Sequence, residues 1–155
     1  MSTDAETVVR AAYRAAEGSV PDVQGFIDLF ADDGVFNNVV AGETYRGEHL
    51  GDLVASMAAL APDVHRELHR FHVMGNVVAV ELTIEGTFTG PFETPAGTVR
   101  PTGARLGIPT ADFWYVENGR IKEFNCYVGL SVMLAQLGVQ PDFVAAVEAS
   151  AFVPN

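Results

Sequence analysis

Few residues in this chain are able to move a proton or attack a substrate, and their spacing sorts them. Asp112 stands in the run Thr110-Ala111-Asp112-Phe113-Trp114-Tyr115. Extended alternation puts Thr110, Asp112 and Trp114 on one face of that run and Ala111, Phe113 and Tyr115 on the other. With Trp114 turned inward, Asp112 follows it into surroundings of low polarity. Burial disfavours a charged carboxylate, so a neutral acid able to donate to a carbonyl or a developing oxyanion is expected there. The plainer alternative is a carboxylate satisfied by an arginine or a backbone amide. His65, Glu67 and His69 alternate along another run and share a face. Two histidines four residues apart on a strand stand roughly 13 Å apart, too far to ligate one metal. His65 with Glu67 can form an imidazole–carboxylate pair able to act as a base. A solvated polar stripe is the competing reading, because Arg66, Arg70 and His72 mix both signs of charge nearby.

Glu81 and Glu85 share the face opposite Val80, Leu82 and Ile84, which places them outside, within reach of Arg100 or Arg105. Cys126 lies two residues from Phe124 and from Val128, on an inward face. A thiol among apolar groups is a poor nucleophile, so Cys126 is expected to serve as a small wall residue beside Val128. Phe26, Phe30, Trp114 and Phe124 are aromatics able to line a pocket for a flat hydrophobic molecule, or simply to fill a core.

The elements that must position these groups follow from period and punctuation. Thr3-Asp4-Ala5-Glu6 reads as a capping box opening a helix with Val8, Val9, Ala12, Tyr13 and Ala16 on one side, ended by Gly18. Pro21 is expected at the first position of a second helix through Phe30, and Asp32-Asp33-Gly34 turns the chain into a strand over Val35–Val40. Gly47 introduces a third helix that Pro62 closes. His65–Met74 and Val77–Phe88 then form a hairpin across Gly75-Asn76, and Ala104–Val116 and Arg120–Val128 another across Asn118-Gly119. Thr89–Gly103 between them is read as a long loop, of which Pro91–Gly103 is expected to serve as a lid or subunit contact. Helical turns over Leu130–Leu137 and a last helix from Pro141-Asp142 complete the chain. Helices first and meandering strands afterwards predict an α+β domain with the N-terminal helices over one face of a curved antiparallel sheet.

Composition limits the partners. At 155 residues and 16.6 kDa the chain suits one domain over 1–155, with one hydrophobic core. Acidic residues number 20 against 9 basic ones, for a net charge of −11. That surface has no electrostatic footprint for nucleic acid or for anionic lipid. The single cysteine rules out an internal disulfide framework and a multi-cysteine metal site. Thr3–Glu17 carries charges throughout, unlike a signal peptide, and a cytoplasmic protein is expected.

Phe30-Ala31-Asp32-Asp33-Gly34-Val35-Phe36 and Tyr45-Arg46-Gly47-Glu48 resemble corners of the nuclear transport factor 2 superfamily. Gly86-Thr87-Phe88-Thr89-Gly90, Pro101-Thr102-Gly103, the stretch from Asp112 to Ile121, and Gln136-Leu137-Gly138 are similar to its SnoaL-like polyketide cyclase branch. The resemblance implies a cone-shaped α+β fold whose curved antiparallel sheet and helices enclose a pocket. It also implies a cyclase or isomerase acting on a small hydrophobic carbonyl compound by proton transfer, with no metal and no other cofactor, and a homodimer formed through the convex sheet face. Ketosteroid isomerases, which resemble this chain too, place a neutral aspartic acid where Asp112 stands; that enzyme is a standard case of a carboxylic acid kept protonated. Their tyrosine donor corresponds to Tyr13. Their aspartate base corresponds to Asn38, which cannot take a proton but can orient a substrate, and the acid/base aspartate of SnoaL-like cyclases corresponds to Gly129. Asp112, Tyr13 and His65 are therefore the candidate catalytic residues. Asn38, Trp114, Phe26, Phe30, Phe124, Cys126 and Val128 are the candidate substrate contacts. With both family bases replaced, a non-catalytic ligand-binding or dimerisation module of the same fold is the alternative.

Overall fold

The structure, a computed structural model, describes residues 4–154. Helix α1 spans Ala5–Ala15 and buries Ala5, Val8, Val9, Ala12 and Tyr13, one stripe at helical spacing. Thr3 of the expected capping box lies outside the described residues. The cap seen is Asp4, whose carboxylate accepts from the Thr7 amide at 2.8 Å. Helix α2 spans Val23–Asp28 and is capped by Asp22. Pro21 thus precedes the cap instead of opening the helix, because Asp22 supplies an acceptor for the Gly25 amide that proline cannot.

Strand β1, Phe30–Asn38, begins earlier and ends earlier than expected. Asp32-Asp33-Gly34 is a register shift inside this strand rather than a turn before it. Val39–Ala41 is a turn of 3₁₀ helix, after which β2 (Glu43–Arg46) returns along β1. A further 3₁₀ turn over Gly47–Gly51 leads into α3, Asp52–Leu60. The two hairpins form where the turn residues put them: β3 (His65–Met74) with β4 (Val77–Thr87), and β7 (Arg105–Glu117) with β8 (Arg120–Val128). Asn118 and Gly119 both have positive φ, 52° and 74°, which is the geometry a tight two-residue hairpin requires. The stretch expected as a plain long loop instead folds into a small hairpin of β5 (Phe92–Thr94) and β6 (Gly97–Val99). Helices α4 (Leu130–Gln136) and α5 (Phe143–Ser150) close the chain. The Gln136 side chain grips the Gly107 backbone at both its amide and its carbonyl, 3.0 and 3.1 Å, docking α4 against β7.

The main sheet runs β2-β1-β8-β7-β4-β3 and is not closed. Its pairs are antiparallel except β1 with β8, which is parallel. Antiparallel neighbours need only hairpins, whereas this one pair joins strands about ninety residues apart. Burial alternates along β4 and β7, with Val78, Val80, Leu82 and Ile84 facing Leu106, Ile108, Trp114 and Val116 beneath the helices. Pairing therefore lines up one inward row across five strands: Asn38, Cys126, Asp112, Val80 and Phe71. No helix among the described residues is long and apolar enough to cross a membrane.

Candidate functional site

Asp112 faces inward as the alternation requires, and its residue is only 3% exposed. From α1, Tyr13 reaches down and its hydroxyl donates to Asp112 Oδ2 at 2.7 Å. Trp114, two residues along β7, donates its indole N–H to the Tyr13 oxygen at 3.1 Å. The order is therefore Trp114 to Tyr13 to Asp112, with the single Tyr13 proton spent on the carboxylate. Asp112 Oδ1 is buried with no hydrogen-bond partner. Burial lifts the Asp112 carboxyl to about 6, an effect offset in part by the Tyr13 hydroxyl, the Cys126 thiol and the Arg66 charge. Burial thus raises this carboxyl in the expected direction, with Oδ2 clamped by Tyr13 and Oδ1 without a partner. Tyr13 is held far above its ordinary range, by burial first and by the neighbouring carboxylate second, and stays a phenol.

Cys126 is the cross-strand neighbour of Asp112. Burial pushes its thiol well up, with Asp112 adding to the effect, so it remains a neutral wall residue. Asn38 follows in the same row. Its amide nitrogen donates to Glu43 at 3.1 Å, while its Oδ1 is buried and unpartnered. Two strand spacings separate Asn38 from Asp112, about 10 Å at the backbone. The inward row thus holds two acceptor oxygens without donors, one on each side of Cys126. Buried polar atoms are normally paired, and these two are exceptions.

The aromatic candidates divide differently. Phe26, Phe30, Trp114 and Phe124 are fully buried. Phe26 packs on Phe30 and Phe36 at 5.3 and 6.3 Å, Phe36 on Phe124 at 4.3 Å, and Trp114 stacks on Phe124 at 3.6 Å. These rings fill one another's space. Asn38, Cys126 and Val128 stay half-open.

His65 sits on the outward face with Glu67, as alternation placed it. Its Nε2 meets Glu67 and its Nδ1 meets Glu17, both at 3.0 Å. The two carboxylates raise its pKa, Glu17 foremost, which favours the imidazolium and donation from both ring nitrogens. The imidazolium so favoured has no lone pair with which to take a proton. His65 instead braces the end of α1 to β3. Glu81 and Glu85 are outside, against His72 and Arg70 and against Arg105 respectively.

Sequence reasoning passed over Arg66, which it grouped with the polar stripe. Arg66 pairs with Ile84 across the sheet and shares the inward parity of Leu68. Its guanidinium donates to the Ala16 carbonyl at 2.9 Å. It is also the cation that acts on Asp112. The signal was available: in His65-Arg66-Glu67-Leu68, residue 66 must face the same way as Leu68. Tyr13, Arg66, His65, Arg10, Arg14, Glu17 and Leu68 together line a cleft of about 260 Å³ between α1 and β3; Asp112, bonded to Tyr13, is not among its lining residues. Among the described residues no group of three or more His, Cys, Asp or Glu is placed to hold a metal ion.

A family model described as a SnoaL-like domain matches residues 9–124, three quarters of the chain. The chain belongs to the SnoaL-like family. Among solved structures, this SnoaL-like domain is similar to wild-type IdmH of Streptomyces antibioticus, a proposed polyketide cyclase, at 25% identity and TM-score 0.69, over 88% of this chain and 100% of that one. A protein of ketosteroid isomerase-like fold from Catenulispora acidiphila DSM 44928, in complex with trimethylamine, matches at 25% identity and TM-score 0.68, over 85% and 92%. An LEH-like epoxide hydrolase of M. tuberculosis shares the fold at 21% identity and TM-score 0.63, over 88% and 90%. A comparison with curated proteins gives no match. The position where SnoaL-like cyclases resemble this chain but carry an aspartate is sterically closed. A Cβ on Gly129 would lie 2.5 Å from the Pro109 carbonyl oxygen, to which the Gly129 amide already donates at 2.8 Å.

Proposed function

We propose that this SnoaL-like domain is an acid/base enzyme of cyclase or isomerase type, acting on a small hydrophobic carbonyl compound with Asp112 as the base. The observation that carries the reading is the Asp112 carboxylate itself, buried, raised to about 6 and clamped by Tyr13 at Oδ2 while Oδ1 is left without a partner. A general base is most effective when its pKa lies near the working pH and its lone pair is aimed at the substrate. Oδ1 takes a proton from the carbon next to the carbonyl, and the C–H electron pair passes into the new C=C bond as the carbonyl becomes an enolate. Returning the proton to another carbon completes an isomerisation; in a cyclisation the enolate carbon attacks a second carbonyl of the same molecule, its π pair moves to oxygen, and Asp112 returns the proton to that alkoxide. Tyr13 holds the carboxylate in place throughout, and Asn38 Oδ1 accepts from a substrate hydroxyl. His65 stays on the cleft rim as a brace. Needing only a base and a positioned carbonyl, the reaction requires neither a metal nor an organic cofactor.

The test follows solvent deuterium uptake next to the carbonyl in ketosteroid and polyketide-type diketone panels, beside Asp112→Asn. Exchange catalysed by the native protein and lost in the variant supports the reading. Exchange that survives the substitution overturns it. The alternative, a binding module of the same fold, draws on the closed Gly129 position and on the mutually packed aromatics; it predicts ligand binding without exchange on any panel member. A homodimer through the convex face remains part of the proposal, since Tyr115 and Tyr127 are exposed there. Sedimentation of the native chain beside Tyr127→Asp checks it.

A further inference from the structure

The cleft between α1 and β3 concentrates positive charge in a protein whose net charge is −11. Three of its nine basic residues line it, Arg10, Arg14 and Arg66, together with the His65 imidazolium and one carboxylate, Glu17. Most of these charges are already spent. Arg10 is tied to Glu6 at 2.9 Å and lies over the Phe71 ring, 3.9 Å from its centroid. Glu17 is occupied by His65 and by the Arg66 backbone amide. Two cations remain. Arg14 has no ion pair and no side-chain hydrogen bond among the described residues. Arg66 spends one guanidinium nitrogen on Ala16 O and leaves the rest of its fork without a partner among them.

We propose that this cleft is a carboxylate-binding subsite, in which Arg66 and Arg14 grip the anionic head group of an aromatic or alicyclic acid while Tyr13 and Leu68 pack against its first ring. A planar guanidinium fork matches a carboxylate in two parallel hydrogen bonds. One carboxylate suits the two spare guanidinium groups, each of which can donate to one of its oxygens. The volume of about 260 Å³ holds a head group and one ring, and lies below the range of pockets that enclose a whole drug-sized molecule. The rest of a larger ligand would extend toward the Asp112 row that Tyr13 separates from the cleft. The inference deepens the reading of Asp112 as base and rests on it only for the claim that the occupant is the substrate.

Phenylacetate and its neutral isostere phenylacetamide test the subsite by binding alone. Titration of the full chain, followed by amide and arginine side-chain NMR, is expected to give saturable shifts at Tyr13, Arg14, Arg66 and Leu68 with phenylacetate. Phenylacetamide is expected to bind at least tenfold more weakly. Arg14→Gln, an exposed change that leaves the core untouched, should weaken phenylacetate about tenfold, and Arg66→Lys, which keeps the charge but not the fork, about threefold or more. Arg10→Gln should stay within about twofold. Equal binding of acid and amide, no saturable binding, an unaffected Arg14→Gln, or shifts clustered at Arg120 and Lys122 would each overturn the subsite. The same titration on Asp112→Asn separates the two ideas: carboxylate binding that persists while no native turnover is found sinks the base and keeps the subsite.

Discussion

The inward face of β7 and the outward face of the β3–β4 hairpin treat their polar residues in opposite ways. Outside, nearly every charge meets a partner: His72 and Arg70 with Glu81, His65 with Glu17 and Glu67, Arg105 with Asp63 and Glu85. All are substantially exposed, so water can replace any partner and each pair is worth little. Inside, Asp112 and Asn38 each present an oxygen with no donor, where water cannot compensate. Polar residues are thus abundant where they cost little and scarce where they can act.

The sharpest way to break this comparison is to neutralise one carboxylate on each face. Asp112→Asn keeps the shape and an acceptor for Tyr13 but removes the base. Proton exchange is expected to fall by roughly 10²–10⁴-fold, the usual contribution of a general base. Glu81→Gln should leave the rate within about twofold. Equal losses from the two variants would show that the inward carboxylate has no special role. The rate of the native protein should also rise with pH through an apparent midpoint near 6, the value at which Asp112 ionises.

Stability carries the same contrast. The Asp112 carboxyl lies at about 6 in the folded chain against 3.8 unperturbed, so between those values the folded state binds more protons than the unfolded one. Its stability is accordingly greatest below pH 4 as far as this group is concerned, and declines as pH rises through 6. The rise corresponds to ~3 kcal/mol at pH 7. Asp112→Asn should abolish this decline, measured as the difference in urea midpoint between pH 4 and pH 7. A native protein and variant with parallel pH profiles would refute the buried charge.

Tyr13→Phe acts next. It deprives Asp112 Oδ2 and the Trp114 N–H of their shared partner, at an expected cost of about 1–3 kcal/mol. Losing the hydroxyl that holds the carboxylate charged should also move the midpoint of the rate profile upward. Trp114 is the only tryptophan, so its fluorescence reports the change directly. An unmoved midpoint would disconnect Tyr13 from Asp112.

Local signals carried the fold a long way. Gly75-Asn76 and Asn118-Gly119 placed both hairpins, and parity with Trp114 turned Asp112 inward. Signals that depend on distant chain were silent. Nothing in Phe30–Asn38 announces that it pairs in parallel with β8, and the Asp32-Asp33-Gly34 turn chemistry is overridden by that pairing. The resemblance supplied Tyr13, whose reach to Asp112 spans 99 residues. Arg66 was legible by parity yet hidden by its charged neighbours. The direction of the Tyr13 proton, and the unpartnered Asp112 Oδ1, needed three-dimensional contacts.

The smallest effect concerns His65, and it tests whether the outer face is as inert as its exposure implies. Glu17 and Glu67 raise the His65 pKa above 6.5, so its contribution is fully present below that value and is lost as pH rises through the folded pKa. Its side chain is 51% exposed, and screening by water keeps the effect below about 1 kcal/mol. His65→Gln should therefore lower the urea midpoint slightly at pH 6 and not at pH 9, a window above that of Asp112, so the two titrations separate on one profile. Proton exchange by the variant should match the native rate, because an imidazolium held between two carboxylates has no proton-accepting nitrogen to lose. A large fall in exchange with His65→Gln would move the base to the cleft rim and reverse the roles of the two faces.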